Sequence, residues 1–346
     1  MRPLTLKRVL WDCAVLLAIL FLVVVVSLKL GAVPVSMYGL GRDLIRVALG
    51  RSSELSSEYR LIVFDIRLPR ILLGVFVGAS LSVAGASFQA LLRNPLADPY
   101  VLGVSSGSAL GAILALVAAP HLHLSSLAGA LLTPLFAFLG AMATIAAVYF
   151  LARREGQIDS GTLLLAGIIS ASFLSAVIMF LMTTLPGRDL RGMAFWLMGD
   201  LSTPLPASYR WLLAVGFFAA AGAVYTTAAD LNLLLAGERE AIHLGVDIVR
   251  VRLVVYVAAS FLTALAVSVS GAIGYVGLLV PHVMRLLFRS DYRLLLPTAA
   301  LGGAIAVVIA DTLARTVVAP TELPVGAMTA MAGAPLFVYL LRRRLT

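Results

Sequence analysis

Long apolar runs separated by short polar joints form the main pattern along this chain. Each run is close to the roughly 20 residues that an α-helix needs to cross a bilayer. The stretch from 99 to 152 contains no Lys, Arg, Asp or Glu, and a polar, proline-bearing turn at 120–126 divides it in two. The pattern predicts an all-α, polytopic membrane protein of about ten spans, at residues 8–29, 69–92, 100–119, 127–152, 160–185, 207–229, 249–271, 274–289, 294–317 and 323–342.

Two segments interrupt the apolar pattern with residues that a simple membrane anchor does not need. Arg93–Pro99 reads RNPLADP, and Gly271–His282 reads GAIGYVGLLVPH. Irregular backbone at membrane depth is tolerated only where protein surrounds it or where it lines a cavity. These segments therefore predict that the helices enclose a pathway, with broken helices beside it. Tight helix packing through small residues is the alternative explanation for each glycine.

The composition also favours a membrane protein. The chain has 346 residues, of which 61% are hydrophobic and 12% charged, and its mean hydropathy is +1.03. We predict one transmembrane domain over residues 1–346. The formal net charge of +9 is interpreted as arginines at helix ends, not as a nucleic-acid-binding surface. The first apolar run is longer than a signal-peptide core and lacks a small-residue cleavage site, so it is predicted to be a retained helix.

Basic residues at both ends of the chain predict its orientation. Arg2, Lys7 and Arg8 precede the first span, and residues 342–344 are three arginines that follow the last span. Because Lys and Arg are enriched in cytoplasmic loops, this arrangement predicts an even number of spans with both termini in the cytoplasm. The first outer segment runs against the rule, since it carries Arg42, Arg46, Arg51, Arg60, Arg67 and Arg70.

Several chemical functions can be tested against the residue pattern. Residues 103–107 match G-x-S-x-G, but that motif needs a preceding strand, and here it lies among spanning helices. Lys7 and Lys29 are the only lysines, so the chain has no phosphate-binding P-loop and any ATP must bind another polypeptide. Asp311 is the best buried carboxylate for ion-driven transport, although Arg315 at i+4 favours a local ion pair. His121 and His123 offer only two ligands, so no metal site is predicted.

The longest inner connection, residues 230–252, reads DLNLLLAGEREAIHLGVDIVRVR. Three consecutive leucines precede Gly237, and a charged turn follows it. The pattern predicts two short helices that are broken at Gly237 and that expose leucines at the inner surface. Exposed apolar surface outside the bilayer is typical of a docking site. An amphipathic segment that lies on lipid is the alternative interpretation.

Four motifs together resemble FecCD-type permeases, the membrane subunits of type II ABC importers for cobalamin, ferric siderophores and heme. They are RLPR (Arg67–Arg70), GASFQALLRNPLADPYVLGVSSG (Gly85–Gly107), GAIGYVGLLVPHVMR (Gly271–Arg285) and ELPVGAMTAMAGAPLFVYLL (Glu322–Leu341). The resemblance implies a homodimer in a bacterial inner membrane that works by alternating access. It also implies two ATPase subunits below and a substrate-binding protein above. The chain itself would have no enzymatic activity and no cofactor, since ATP and Mg²⁺ would bind the partner ATPase.

The resemblance also implies roles for individual residues. The cytoplasmic gate would contain Asn94, Leu96, Ser160 and Gly161. The loop that couples to the ATPase would contain Leu233, Leu234, Gly237, Glu238, Ala241, Leu244 and Gly245, with Leu234 and Leu244 buried in the ATPase groove. The outer-face arginines that meet glutamates of the binding protein would be Arg67, Arg70 and Arg315, with lipid phosphate as their alternative partner.

Two other functions stay open from the sequence. An ion-driven secondary transporter or channel would need neither ATP nor a partner ATPase. An intramembrane enzyme would lose its function when Ser105 is replaced by Ala. No residue selects among siderophore, heme and cobalamin as the substrate.

Overall fold

A computed structural model describes residues 5–31, 49, 61–122, 125–154, 157–184, 187–203 and 205–345. Within these ranges there are thirteen α-helices: α1 (Leu6–Lys29), α2 (Leu68–Leu91), α3 (Val104–Ala118), α4 (Ser126–Ala152), α5 (Ser160–Thr184), α6 (Gly187–Leu197), α7 (Ala207–Thr226), α8 (Ala228–Ala236), α9 (Glu238–His243), α10 (Ile248–Ser270), α11 (Val276–Leu287), α12 (Tyr292–Thr316) and α13 (Val325–Leu345). A short antiparallel pair, β1 (Arg153–Arg154) and β2 (Gln157–Ile158), lies between α4 and α5. The predicted all-α membrane fold is confirmed.

The ten predicted spans correspond one for one to apolar helices of the described chain. Seven are long enough to cross a membrane, and three are shorter apolar helices, at 104–118, 276–287 and 325–339. The third span starts later than predicted, because Pro99–Leu102 forms a separate 3₁₀ turn and Gly103 follows it with φ 75°. Such a left-handed residue ends the turn and starts α3 in a new direction. A π-helical segment, Leu61–Arg67, leads into α2.

Helix α6 was not predicted. It begins in the polar sequence GRDLR, which looks like a loop, and becomes apolar only in its second half. Met193 is buried there in a small cluster with Ala109 and Ile113 of α3. Tertiary packing of one face therefore stabilises a helix that its composition does not favour.

Three helices form the interior of the molecule. In the apolar windows of α2, α10 and α12, 83%, 78% and 67% of the residues are buried, against 6% in α1 and 17% in α7. Close packing explains the high values. A Cβ atom on Gly78 of α2 would clash with the carbonyl oxygen of Gly303 in α12, and the reverse also holds. The two backbones therefore touch, as small residues allow in membrane helices.

The arginine-rich outer segment lies mostly outside the described residues. This applies to Arg42, Arg46, Arg51 and Arg60, and also to His123 of the outer turn. The described chain resumes at Leu61, and Arg67 and Arg70 lie at the start of α2.

Candidate functional site

The two irregular segments found in the sequence contact each other. Gly85 of α2 faces Gly277 of α11, and a Cβ atom at Gly85 would clash with the carbonyl oxygen of Gly277. Gly277 in turn packs against Leu81 and the ring of Pro99. The polar joint after α2 and the glycine-rich break before α11 therefore form one site, which the sequence pattern alone did not predict.

Gln89 connects the two segments by hydrogen bonds. It is buried near the end of α2, and its Nε2 donates to the carbonyl of Leu278 at 3.2 Å and to those of Ala97 and Gly277 at 3.4 Å. Its Oε1 accepts from Nη1 of Arg285 at 2.6 Å. Both hydrogen-bonding groups of the buried amide are thus satisfied. Gln89 lies within one of the four motifs, but the motif by itself did not indicate this role.

Tyr100 satisfies the broken backbone before α11. Its hydroxyl accepts from the backbone N–H of Ile273 at 3.0 Å and donates to the carbonyl of the same residue at 3.1 Å. The backbone N–H of Asp200 donates to the carbonyl of Ser270 at 2.7 Å. Unpaired backbone groups at membrane depth are costly. The break is therefore a fixed element that protein groups support, as expected of irregular backbone inside a membrane.

The joint after α2 is a rigid turn. Arg93 has φ 49°, and Asn94 donates its backbone N–H to the carbonyl of Gln89 at 3.1 Å. The side-chain Oδ1 of Asn94 accepts from the N–H of Leu96 at 2.9 Å. The Leu96 side chain is 39% exposed. The predicted gate residues Asn94 and Leu96 therefore lie on an ordered, accessible turn, and their role as a gate stays a prediction.

Asp98 ends this turn. Its Oδ1 accepts from the backbone N–H of Tyr100 at 2.8 Å and caps the 3₁₀ turn at Pro99–Leu102. Burial raises the pKa of Asp98 to about 6, against the lowering effect of the Tyr100 N–H. The raised pKa means that burial disfavours the charged form of this carboxyl group.

The second pair of predicted gate residues lies at the start of α5. Asp159 accepts from the backbone N–H and the hydroxyl of Thr162, both at 2.7 Å. These hydrogen bonds from Thr162 hold the pKa of Asp159 below its usual range. Ser160 is the first helical residue, and Gly161 is exposed. A carboxylate cap thus fixes the start of the helix, and a gate role for Ser160 and Gly161 stays a prediction.

The inner connection has the predicted form of two short helices, α8 and α9, separated at Gly237. Helix α9 ends in a Schellman motif, in which the N–H of Val246 donates to the carbonyl of Ala241 and the N–H of Gly245 donates to that of Ile242. Gly245 has φ 85°, the left-handed conformation that this motif requires. This explains why a glycine follows the helix.

The burial of these helices corrects part of the predicted docking surface. Leu234 is 7% exposed and packs in the main core, and Ala241 is fully buried. Leu234 therefore cannot insert into a partner protein. We define the docking patch as the exposed side chains of Leu235, Ile242 and Leu244, which are 45%, 58% and 66% exposed. The sequence did not indicate Ile242, because a helix of only six residues is too short for its hydrophobic periodicity to show which side chains face outward.

The three outer arginines are also placed differently from the prediction. Arg67, Arg70 and Arg315 are all buried, and so is Asp311. The Nε of Arg70 lies 2.8 Å from Oδ1 of Asp311, and the Nε of Arg315 lies 2.9 Å from Oδ2. The expected ion pair between Asp311 and Arg315 is confirmed, and the three arginines are buried among partners of this chain instead of presenting exposed charges. Docking of a binding protein at these residues stays untested.

Two further contacts complete this outer cluster. Nη1 of Arg70 also binds Glu322 at 2.7 Å, and the Glu322 side chain is 49% exposed. Nη1 of Arg67 donates to the carbonyl of Leu28 at 2.7 Å, at the end of α1. An arginine at this position satisfies a carbonyl that the helix leaves unpaired. The cluster therefore ties α1, α2 and α12 together.

Comparison with known proteins identifies the family. The FecCD transport family model matches residues 19–343. An uncharacterized ABC transporter permease, YvrB of Bacillus subtilis (strain 168), is 44% identical over 83% of this chain and 80% of its own. The cobalamin import system permease BtuC of Halobacterium salinarum is 42% identical over 92% of this chain and 84% of its own. The hemin transport system permease HmuU of Yersinia pestis is 40% identical over 81% of this chain and 83% of its own.

A solved structure agrees with these relatives. A metal-chelate type ABC transporter in an inward-facing conformation has a TM-score of 0.79, 31% identity, and coverage of 96% of this chain and 99% of its own. The family resemblance stated from the motifs is confirmed, and the ion-driven transporter and the intramembrane enzyme are set aside. This multi-pass membrane protein is a non-enzymatic permease that belongs to the FecCD transport family.

Proposed function

We propose that the chain is the membrane subunit of an ATP-driven importer for a bulky metal chelate, namely cobalamin, heme or a ferric siderophore. Two copies would enclose the pathway, two ATP-binding cassette subunits would bind ATP and Mg²⁺ below, and a binding protein would deliver the chelate above. The substrate class is supported by the cobalamin and hemin permeases among the relatives and by the metal-chelate transporter among the solved structures. Both termini would lie in the cytoplasm.

One observation carries this proposal. The docking patch lies on α8, on α9 and on Leu244, which directly follows α9, and the opposite face of these helices is buried against the main core. A protein groove that covered Ile242 and Leu244, which are 58% and 66% exposed, would gain about 1–2 kcal/mol for each side chain. Exposed apolar side chains on a firmly held surface fit a partner subunit.

A paired substitution tests ATPase docking. The variant Ile242→Asn/Leu244→Asn should lose co-purification with an ATP-binding cassette subunit from the same genome, because its polar side chains resist burial. The variant Ile242→Val/Leu244→Val keeps an apolar surface and should retain the complex. Equal co-purification of both variants would contradict docking at this patch.

Uptake into proteoliposomes tests the function itself. The assembled complex, with its binding protein, should accumulate one of three labelled probes, cyanocobalamin, hemin or ferrichrome, only when ATP and Mg²⁺ are present on the ATPase side. Accumulation without ATP would contradict the coupling. Failure with all three probes would contradict the substrate class.

The dimer and the gate can be tested together. With Cys13→Ser as background, Leu96→Cys should crosslink between two copies if the exposed turn lies near the two-fold axis. If no crosslink forms in any nucleotide condition, the proposed position of Leu96 near the two-fold axis is wrong.

The outer cluster is the proposed contact for the binding protein. Because the arginines of the cluster are buried, the binding protein would have to displace one of their present partners. A carboxylate of the binding protein would reach Arg70 by replacing the half-exposed Glu322. Charged contacts of this kind act mainly on encounter and register. Glu322→Gln should therefore speed association of the binding protein, and an unchanged association rate would contradict the contact.

A further inference from the structure

Glu238 links the inner helices to the joint after α2. Its Oε2 lies 3.0 Å from Nη2 of Arg93, and its Oε1 lies 3.1 Å from Nη2 of Arg252 in α10. Arg93 and Glu238 are 145 residues apart in the chain. The carboxylate at the first residue of α9 is therefore shared between one arginine in the turn after α2 and one in α10.

Arg93 belongs directly to the predicted gate turn. It precedes Asn94, it has φ 49°, and its backbone N–H donates to the carbonyl of Ala90 at 3.1 Å. A left-handed conformation is uncommon for a residue with a side chain and persists only where the surroundings fix it. The Arg93 side chain thus extends from a fixed turn toward the helix that carries the docking patch.

Apolar side chains beside the Glu238–Arg93 pair also connect the inner helices to α2. Leu231 and Leu234 of α8 line a narrow crevice together with Ala90 and Leu91 of α2. All four side chains are buried in the main core. Helix α8 therefore packs directly against the end of α2, and Arg93 and Arg252, the partners of Glu238, also line this crevice.

We propose that Glu238 is a positioning residue that transmits movement of the docking patch to the gate turn through Arg93, while Arg252 holds its carboxylate in place. This inference rests on the proposed function, since it needs an ATPase on the docking patch. Glu238 would then act within this chain and would not itself contact the ATPase.

The exposure of the pair favours a role in coupling. The side chains of Arg93 and Glu238 are 44% and 37% exposed, and ion pairs with that much contact with water add little to stability. Such a pair can also re-form in a second conformation without a large barrier. Coupling between two sites requires an element that both sites bias, and the Glu238–Arg93 pair joins the start of α9 to the turn after α2.

A double-mutant cycle on the assembled, reconstituted complex tests the proposal. The measured quantity is the number of substrate molecules taken up per ATP hydrolysed. Glu238→Gln should lower this ratio about fivefold, while assembly with the ATPase and ATP hydrolysis persist. Arg93→Gln should have a similar effect, and the double variant should be no worse than either single variant, because both remove one interaction.

The chain offers matched controls. Glu240→Gln changes a carboxylate on the same short helix, and Arg250→Gln changes an arginine near Arg252 on α10, so both should keep the wild-type ratio. Effects of Glu238→Gln and Arg93→Gln that simply add would overturn the proposal, as would a wild-type ratio in Glu238→Gln. Lost ATPase assembly in Glu238→Gln but not in Arg93→Gln would also overturn it, because Glu238 would then contact the ATPase.

The same experiment separates this inference from the function on which it rests. If the wild-type complex shows no ATP-dependent uptake, the proposed function fails. If the wild type couples uptake to ATP and the cycle shows no interaction between Arg93 and Glu238, only the positioning role fails.

Discussion

Replacing Asp311 by Asn should destabilise the outer end of the helix bundle. Asp311 is the buried carboxylate that Arg70 and Arg315 share, at 2.8 and 2.9 Å. Together with Glu322, these residues carry two positive and two negative formal charges. The substitution removes one negative charge and leaves a buried net charge of about one unit.

The size of the effect follows from the burial of the partners. Removal of one member of a buried ion pair costs about 3–5 kcal/mol, because the remaining charge stays desolvated. Glu322 still pairs with Arg70, so Arg315 is the group that loses its carboxylate. We therefore expect a loss within that range and not twice as much. A domain has only about 5–15 kcal/mol of total stability.

Thermal inactivation in detergent is the suitable assay, because unfolding of such proteins is rarely reversible and a half-life is then the meaningful quantity. The fraction of monodisperse protein is followed over time at one temperature. Asp311→Asn should shorten the half-life strongly. Glu322→Gln removes a half-exposed partner and should have a small effect, about 0–1 kcal/mol. An Asp311→Asn protein with the half-life of the wild type would refute the argument.

A compensated variant separates stability from function at the same site. Replacement of a whole buried ion cluster by apolar side chains is often neutral or stabilising by about 1–4 kcal/mol. The variant Arg70→Met/Asp311→Leu/Arg315→Met should therefore recover the half-life that Asp311→Asn loses. If its uptake is lost all the same, the arginines act in transport and not only in packing.

Three further substitutions test the inner site. Gly85→Ala should shorten the half-life, because its methyl group would clash with the Gly277 carbonyl, whereas Gly222→Ala, with nothing within 4 Å, should not. Tyr100→Phe should also shorten it, since each backbone group left unpaired at the break costs about 1–3 kcal/mol. Asp98→Asn should lengthen the half-life at pH 8 and leave it unchanged near pH 4. Burial raises the pKa of Asp98 to about 6, so its favourable neutral form is present in acid and lost as pH rises through that value.

Each of these three predictions has a result that would contradict it. Equal half-lives for Gly85→Ala and Gly222→Ala would contradict backbone contact between α2 and α11. A wild-type half-life for Tyr100→Phe would mean that water replaces the hydroxyl. A pH-independent effect of Asp98→Asn would contradict burial of the carboxyl group.

The sequence predicted the spanning helices because long apolar runs are a one-dimensional signal. It also predicted the break at Gly237 and the pairing of Asp311 with Arg315, since both depend on neighbours within a few residues. Arg70 could not be assigned to Asp311 in the same way, because 241 residues separate them. Such a contact depends on the packing of α2 against α12, which hydrophobic periodicity does not specify.

The errors at the inner surface have a similar cause. Three consecutive leucines at 233–235 identify an apolar segment but not which of them faces inward. Leu234 is buried and Leu235 is 45% exposed. The residues of the docking patch therefore depend on which face of α8 packs against the main core. Gln89 was overlooked because three of its partners are backbone carbonyls, which leave no trace in side-chain composition, and the fourth, Arg285, is 196 residues away in the chain.

The contacts of α2 indicate how the proposed gate turn after this helix would move. This helix contains 24 residues, about 36 Å at the usual rise, and runs from the buried ion cluster to the joint at Arg93. Gly78 joins it to α12 and Gly85 joins it to α11 by direct backbone contact. Close-packed interiors move between discrete arrangements and do not bend continuously. We therefore expect α2, α11 and α12 to move as one body. If Glu238 and Arg93 act as proposed, a displacement at Glu238 would move the proposed gate turn together with this body, and opening would occur between the two copies of the proposed homodimer.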